Sequence, residues 1–141
     1  MRTLLDTNVL SEAVRPRPSP AVAAWFQSVP SDDQFLSVLS VGELRYGALK
    51  LKEGVQKTRL TEWIENDILG AKASGILPVN QAVIERWAQL RAITPRTLPA
   101  IDGLIAATAL AHGLALATRN VRDFEGLGLR LVDPFAFGAG G

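Results

Sequence analysis

Leu4-Leu5-Asp6-Thr7-Asn8 decides how the rest of this chain reads. Two apolar residues suited to a buried strand run directly into Asp6-Thr7-Asn8, residue types that start helices. The same handover recurs further along. Ser40-Val41-Gly42-Glu43 follows the strand-like run from Gln34 to Leu39, and Ile101-Asp102-Gly103 opens an apolar helix. Thr118-Arg119-Asn120, followed by Asp123-Phe124, comes after another apolar strand. In an open parallel sheet such positions gather in the crevice at the carboxyl ends of the strands. Carboxylates gathered there repel one another unless a cation sits between them. Hard divalent ions, Mg²⁺ or Mn²⁺, choose carboxylate oxygens. The pattern therefore points to metal-assisted chemistry on phosphates.

Working outward from these positions, apolar runs alternate with helix starts. Residues 2–5, 34–39, 76–79, 114–118 and 129–132 read as strands, and Pro78 suggests an edge or terminal place for the third. A short helix runs from Asp6 to about Val14. After the loop of Pro16, Pro18 and Pro20, Ser19-Pro20 opens a second helix with Val22, Trp25, Phe26 and Val29 on one face. Ser40 is expected to cap a helix to about Glu53. Another covers roughly Val55–Leu69, with Leu60, Trp63, Ile64 and Ile68 inward. Asn80 caps a helix through Ile93 carrying Val83, Ile84, Trp87 and Leu90, and the last runs from Ala100 to His112. This alternation implies the α/β class: a three-layer α/β/α fold around a central, mostly parallel sheet. One domain is expected over residues 1–135, with a tail, 136–141, expected to be mobile.

The bulk composition narrows the function. The chain has 141 residues, 48% hydrophobic and 21% charged, which suits one ordinary globular domain. It has no cysteine, so disulfides and thiolate zinc sites are excluded and a reducing cytoplasm fits. The N-terminal residues lack the pattern of a signal peptide. The most apolar stretch, Leu104 to Ala117, is too short for a membrane span and is broken by His112-Gly113, so no membrane partner is expected. A net charge of +1 gives no global attraction for nucleic acid, which leaves local patches and metal to do that work.

Each acidic residue also has a structural explanation. Asp6 can be a helix cap, Ser40-x-x-Glu43 has the form of a capping box, and Asp102 suits the positive end of a helix dipole. Capping does not explain why Asp102 sits within the apolar run Ala100-Ile101 and Gly103-Leu104-Ile105. A carboxylate buried there without a partner would cost several kcal/mol. A metal is the economical partner. His112 stands alone and reads as a helix C-terminal residue. No phosphate-binding glycine loop is present, which argues against a nucleoside triphosphate enzyme.

These segments, in this order, resemble PIN-domain endoribonucleases, in particular the VapC-like toxins of bacterial toxin–antitoxin pairs. The matching stretches are Leu4 to Glu12, Leu39 to Gly47, Ile101 to Ala109 and Leu116 to Phe124. The resemblance implies a PIN fold, Mg²⁺-dependent cleavage of RNA, a homodimer and a cognate antitoxin. Asp6, Glu43 and Asp102 match the family's acidic triad. Asp123 matches a frequent fourth acidic position, and Asn120 occupies a place that is Asp in some relatives.

The residues support that chemistry independently. A metal held by Asp6 and Asp102 would orient a water and lower its pKa, and Glu43 would ligate the metal or position the water. Thr118 and Asn120 suit a supporting role beside a carboxylate, and Arg119 or Arg122 suits a flanking phosphate. A haloacid-dehalogenase-type phosphatase needs a second carboxylate at position 8, where Asn8 stands, and a late lysine, whereas none follows Lys72. A receiver domain fails similarly. The remaining alternative is a catalytically inactive PIN-like module that binds RNA or protein.

Overall fold

Thr3–Leu5 forms strand β1, and its alternating side chains divide the layers. Leu4 packs on one face with Val83, Leu90, Ile105 and Leu116. Leu5 packs on the other with Val9, Trp25, Leu36, Ile64 and Ala117. Two buried cores on opposite faces of one sheet make the three layers. The computed structural model describes residues 1–138, so of the expected tail residues 139–141 lie outside the described part.

Strands β2 (Gln34–Ser37), β3 (Ile76–Leu77), β4 (Ala115–Ala117) and β5 (Leu131–Val132) join β1 in a five-stranded sheet of order β3-β2-β1-β4-β5. Every pairing is parallel. Leu4 lies opposite Phe35 on one side and Leu116 on the other. The chain moves outward from β1 to β2 and β3, then returns to lay β4 on the free side of β1. The crevice between β1 and β4 is thus the topological switch point, the usual place for ligands in such sheets.

Helices α1 (Thr7–Glu12), α2 (Pro20–Ser28), α3 (Val38–Lys50) and α4 (Val55–Trp63) line the chain between β1 and β3. Helices α5 (Gln81–Ile93) and α6 (Ala100–His112) supply most of the opposite core. They pack closely because Gly103 has no side chain: a Cβ there would lie 3.3 Å from the Trp87 ring. The position after Asp102 therefore rests directly on an indole. At the far end, α6 stops at Gly113, whose φ of 66° suits glycine.

The structure corrects several expectations. Strand β2 ends at Ser37, and Ser37 caps α3 by accepting a hydrogen bond from the Leu39 amide at 3.0 Å. Ser40 is therefore inside the helix, fully buried, and forms no capping box with Glu43. The segment after Ile64 is not α-helical. Residues Ile64–Ala71 widen into a π-helix closed by Lys72 N–H to the Asp67 carbonyl, which brings Ile64 and Ile68 together in the core. Ile84 is 42% exposed and does not share the buried face of Val83 and Leu90. The last strand covers only Leu131–Val132, although Leu129 still packs against the core.

Relocating the cap has a measurable consequence. Ser37→Ala is expected to lower unfolding stability by about 1 kcal/mol in urea titrations, with Ser37→Thr keeping most of it. An unchanged midpoint for Ser37→Ala would show that the cap is not where stability is lost.

Candidate active site

Asp6 sits where β1 ends, next to β4. Its amide extends the ladder by donating to the Ala117 carbonyl at 2.9 Å, and its own carbonyl accepts from Val9 and Leu10 at the start of α1. Asp6 is 6% exposed. Oδ1 accepts from the Thr7 amide at 2.8 Å, so Asp6 is indeed the cap of α1. Oδ2 accepts from the Thr118 hydroxyl at 2.7 Å across the switch point. Thr118 is fully buried and accepts in turn from the Asn120 amide at 3.1 Å. Asn8 spans the same junction, with its Oδ1 accepting from the Arg119 amide at 3.2 Å.

Glu43 reaches this crevice from the first half of α3. Thr7 Oγ1 lies 2.6 Å from Glu43 Oε1 and 2.9 Å from Ser40 Oγ. Asp102 arrives from the first turn of α6. Asp123 lies in a short 3-10 turn, Val121–Phe124, pinned below by the buried Phe124 ring. From outside, Arg96 Nη2 donates to the carbonyls of Asp123 and Glu125, both at 2.9 Å. An arginine on the loop before Asp102 therefore holds the turn that carries Asp123.

The electrostatics show that these groups share one field. Burial pushes the Asp6 carboxyl above its ordinary value, against the Thr118 and Thr7 hydrogen bonds, and Glu43 and Asp123 push the same way. Asp102 is raised first by burial and then by the charges of Asp6, Asp123 and Glu43. Among the described residues no lysine or arginine forms an ion pair with any of the four. Nor, among those residues, do three such side chains converge to enclose a metal on their own. Oxygen donors of this kind suit a hard divalent cation that keeps most of its waters and takes one or two carboxylates.

The other predicted positions are placed less directly. Asn120 acts through its backbone amide, and its side chain is exposed. The Arg119 guanidinium lies over the Phe135 ring at 4.5 Å, on the side where its charge also reaches Glu12. Arg122 is exposed. Thr7, Ser40, Asn8 and Arg96 carry parts of the site that sequence reasoning had not assigned. A signal existed for the first three, since Thr7-Asn8 and Ser40 lie within the motifs themselves. From Thr7 and Glu43 a groove of about 900 Å³ runs between α1, α3 and α4, past Leu44, Leu60 and Trp63 to Asp67.

A raised carboxyl pKa makes the ionised group a burden on the fold. The stability Asp6 and Asp102 supply is full below their unfolded value near 3.8 and is lost as pH rises through the higher folded value. Asp6→Asn, which keeps a capping side chain, is therefore expected to raise the metal-free urea midpoint at pH 7. The difference should shrink as pH falls toward 4. A variant less stable than wild type at pH 7 would mean that the carboxylate is structurally required.

The PIN domain family model matches residues 3–128. Toxin FitB of Neisseria gonorrhoeae is 40% identical over 135 residues, which cover 94% of this chain and 97% of that protein. VapC ribonuclease Y4jK of Sinorhizobium fredii is 36% identical over 135 residues, 94% of this chain and 96% of that protein. The crystal structure of FitAcB from Neisseria gonorrhoeae superimposes with a TM-score of 0.88 at 40% identity, covering 94% of this chain and 98% of that one. The match takes in β1 to the turn after β4, with all four acidic positions inside it, and the chain belongs to the PIN domain family.

Proposed function

We propose that this chain is a divalent-metal-dependent endoribonuclease and the toxin of a toxin–antitoxin pair. The observation that carries the reading is the crevice itself. Asp6, Glu43, Asp102 and Asp123 come from four separate elements, share one field, and have no side-chain cation among the described residues. The names of the relatives, a toxin and a ribonuclease, support it.

In this reading Asp6 and Asp102 would hold Mg²⁺ or Mn²⁺, and Glu43 would join them as a third ligand once the ion is bound or orient the attacking water. When bound, the ion supplies charge neutralisation at the scissile phosphate and an acidified water. The residues do the rest. Thr118 fixes one oxygen of Asp6, Asn120 supports Thr118 through its amide, and Asp123 adds a fourth carboxylate at the rim. Arg119 and Arg122 flank Asn120 in the segment after β4 and are the basic residues that would meet a flanking phosphate. Water oxygen forms a bond to phosphorus as the bond to the 3′ oxygen breaks. One proton leaves the water and one reaches the departing oxygen, giving a 5′-phosphate and a 3′-hydroxyl.

The groove that opens at Thr7 and Glu43 suits an antitoxin segment with an apolar helix face and a cation at its inner end. Such a cation would take the place of the metal between the carboxylates. Exposed apolar side chains, including Tyr46, Leu49, Ile93 and Ile101, supply further surface for the antitoxin or for a second copy in a homodimer. Among the described residues no helix is long and apolar enough to cross a membrane. A chain that cuts cellular RNA would work in the cytoplasm.

Purified protein is expected to cut labelled single-stranded RNA with Mg²⁺ or Mn²⁺, to stop with chelator, and to leave 5′-phosphate ends. Asp6→Asn and Asp102→Asn should each lose at least about 100-fold in rate while remaining folded. Expressed alone, wild type should arrest growth and these variants should not. RNA that is bound but never cut, with every metal tried, would favour the inactive binding module.

A further inference from the structure

Thr7 touches both carboxylates that reach the crevice from β1 and α3. Its amide donates to Asp6 Oδ1 at 2.8 Å, and its hydroxyl lies 2.6 Å from Glu43 Oε1. The same hydroxyl lies 2.9 Å from Ser40 Oγ. Ser40 is fully buried, so no solvent water serves it, and it sits three residues before Glu43 on the same face of α3.

The direction of these bonds follows from counting hydrogens. A hydroxyl has one hydrogen to donate and two lone pairs to accept with. Thr7 therefore cannot donate to both Ser40 and Glu43. A carboxylate only accepts, and 2.6 Å is the length of a charge-assisted O–H···O⁻ bond, so the Thr7 hydrogen goes to Glu43. Ser40 then donates to Thr7. The chain of bonds runs one way, from the buried Ser40 through Thr7 to Glu43.

On the reading of the crevice as a divalent-metal site, we propose that Ser40 and Thr7 form a hydroxyl relay that holds Glu43 in register with Asp6. Thr7 is the positioning residue that sets their spacing. Glu43 sits on a half-buried helix face with a long side chain whose rotamers must otherwise be ordered when a ligand arrives. Thr7 is branched at Cβ and confined to few rotamers, so its hydroxyl and amide offer the two carboxylates a rigid pair of donors. The relay orders Glu43 in advance, and its loss should appear as weaker metal binding.

The test measures Mn²⁺ binding calorimetrically without RNA, beside thermal melting without metal to establish folding. Thr7→Val, which keeps the shape and removes the hydroxyl, is expected to weaken Mn²⁺ binding about tenfold. Thr7→Ser should restore binding to within about threefold of wild type, and Ser40→Ala should weaken it about threefold. Combining Thr7→Val with Ser40→Ala should add nothing, because Ser40 acts only through Thr7. Wild-type affinity in Thr7→Val, or losses that add in the double variant, overturns the relay. If Thr7→Val does not fold, Ser40→Ala binding as tightly as wild type overturns it equally. Asp6→Asn separates the two levels. If it binds Mn²⁺ like wild type, the metal-site reading itself fails. If it loses binding while Thr7→Val does not, only the relay fails.

Discussion

The acidic crevice at the seam between β1 and β4 exists only because like charges are held together there. Repulsion and burial both oppose the arrangement, as the raised values of Asp6 and Asp102 show. What opposes them is a set of directed donors: the Thr118 hydroxyl, the Thr7 amide and the Thr7 hydroxyl. Each donor is itself anchored in the sheet or in a helix start. The site is thus braced by neutral groups, which stabilise charge without cancelling it and leave the field available to a cation.

The parallel sheet gives that bracing its precision. Thr118 follows β4 and Asp6 follows β1, and the two strands are in register from Thr3–Ala115 to Leu5–Ala117. A slip of one residue would turn Asp6 away from the crevice and put Leu5 in the wrong core. The same alternation that separates the two apolar cores therefore also aims the carboxylate. Packing and the placing of Asp6 share a register, so a change that shifts one shifts the other.

The legible part of the sequence was the part written in short-range patterns. β1 ran into Asp6, the helix faces of Val22 with Trp25 and of Val83 with Leu90 were visible as periodicities, and the four acidic positions stood out near helix starts, although α6 with Asp102 follows α5 and a loop instead of a strand. Ser40 was misplaced because Ser37 and Ser40 both satisfy the capping preference, and only the end of β2 decides between them. The π-helix at Ile64–Ala71 was invisible because its pattern of Ile64, Ile68 and exposed polar residues also suits an α-helix. Gly70 is consistent with the wider turn: a Cβ there would lie 3.4 Å from the Glu65 carbonyl oxygen. Arg96 escaped notice because its partners are backbone carbonyls, which leave no mark on side-chain identity.

The outer strands β3 and β5 are only two residues long each. Edges so brief present too few free amides and carbonyls to template a further strand. Any protein that docks here must therefore read side chains on helices and loops instead of extending a backbone ladder. Backbone pairing is nearly indifferent to sequence, whereas side-chain contacts discriminate by shape and charge. A cell carrying several related chains of this fold could then keep each pair separate by a handful of surface substitutions, leaving the crevice untouched. The shortness of two strands frees recognition to diverge while the chemistry stays constant.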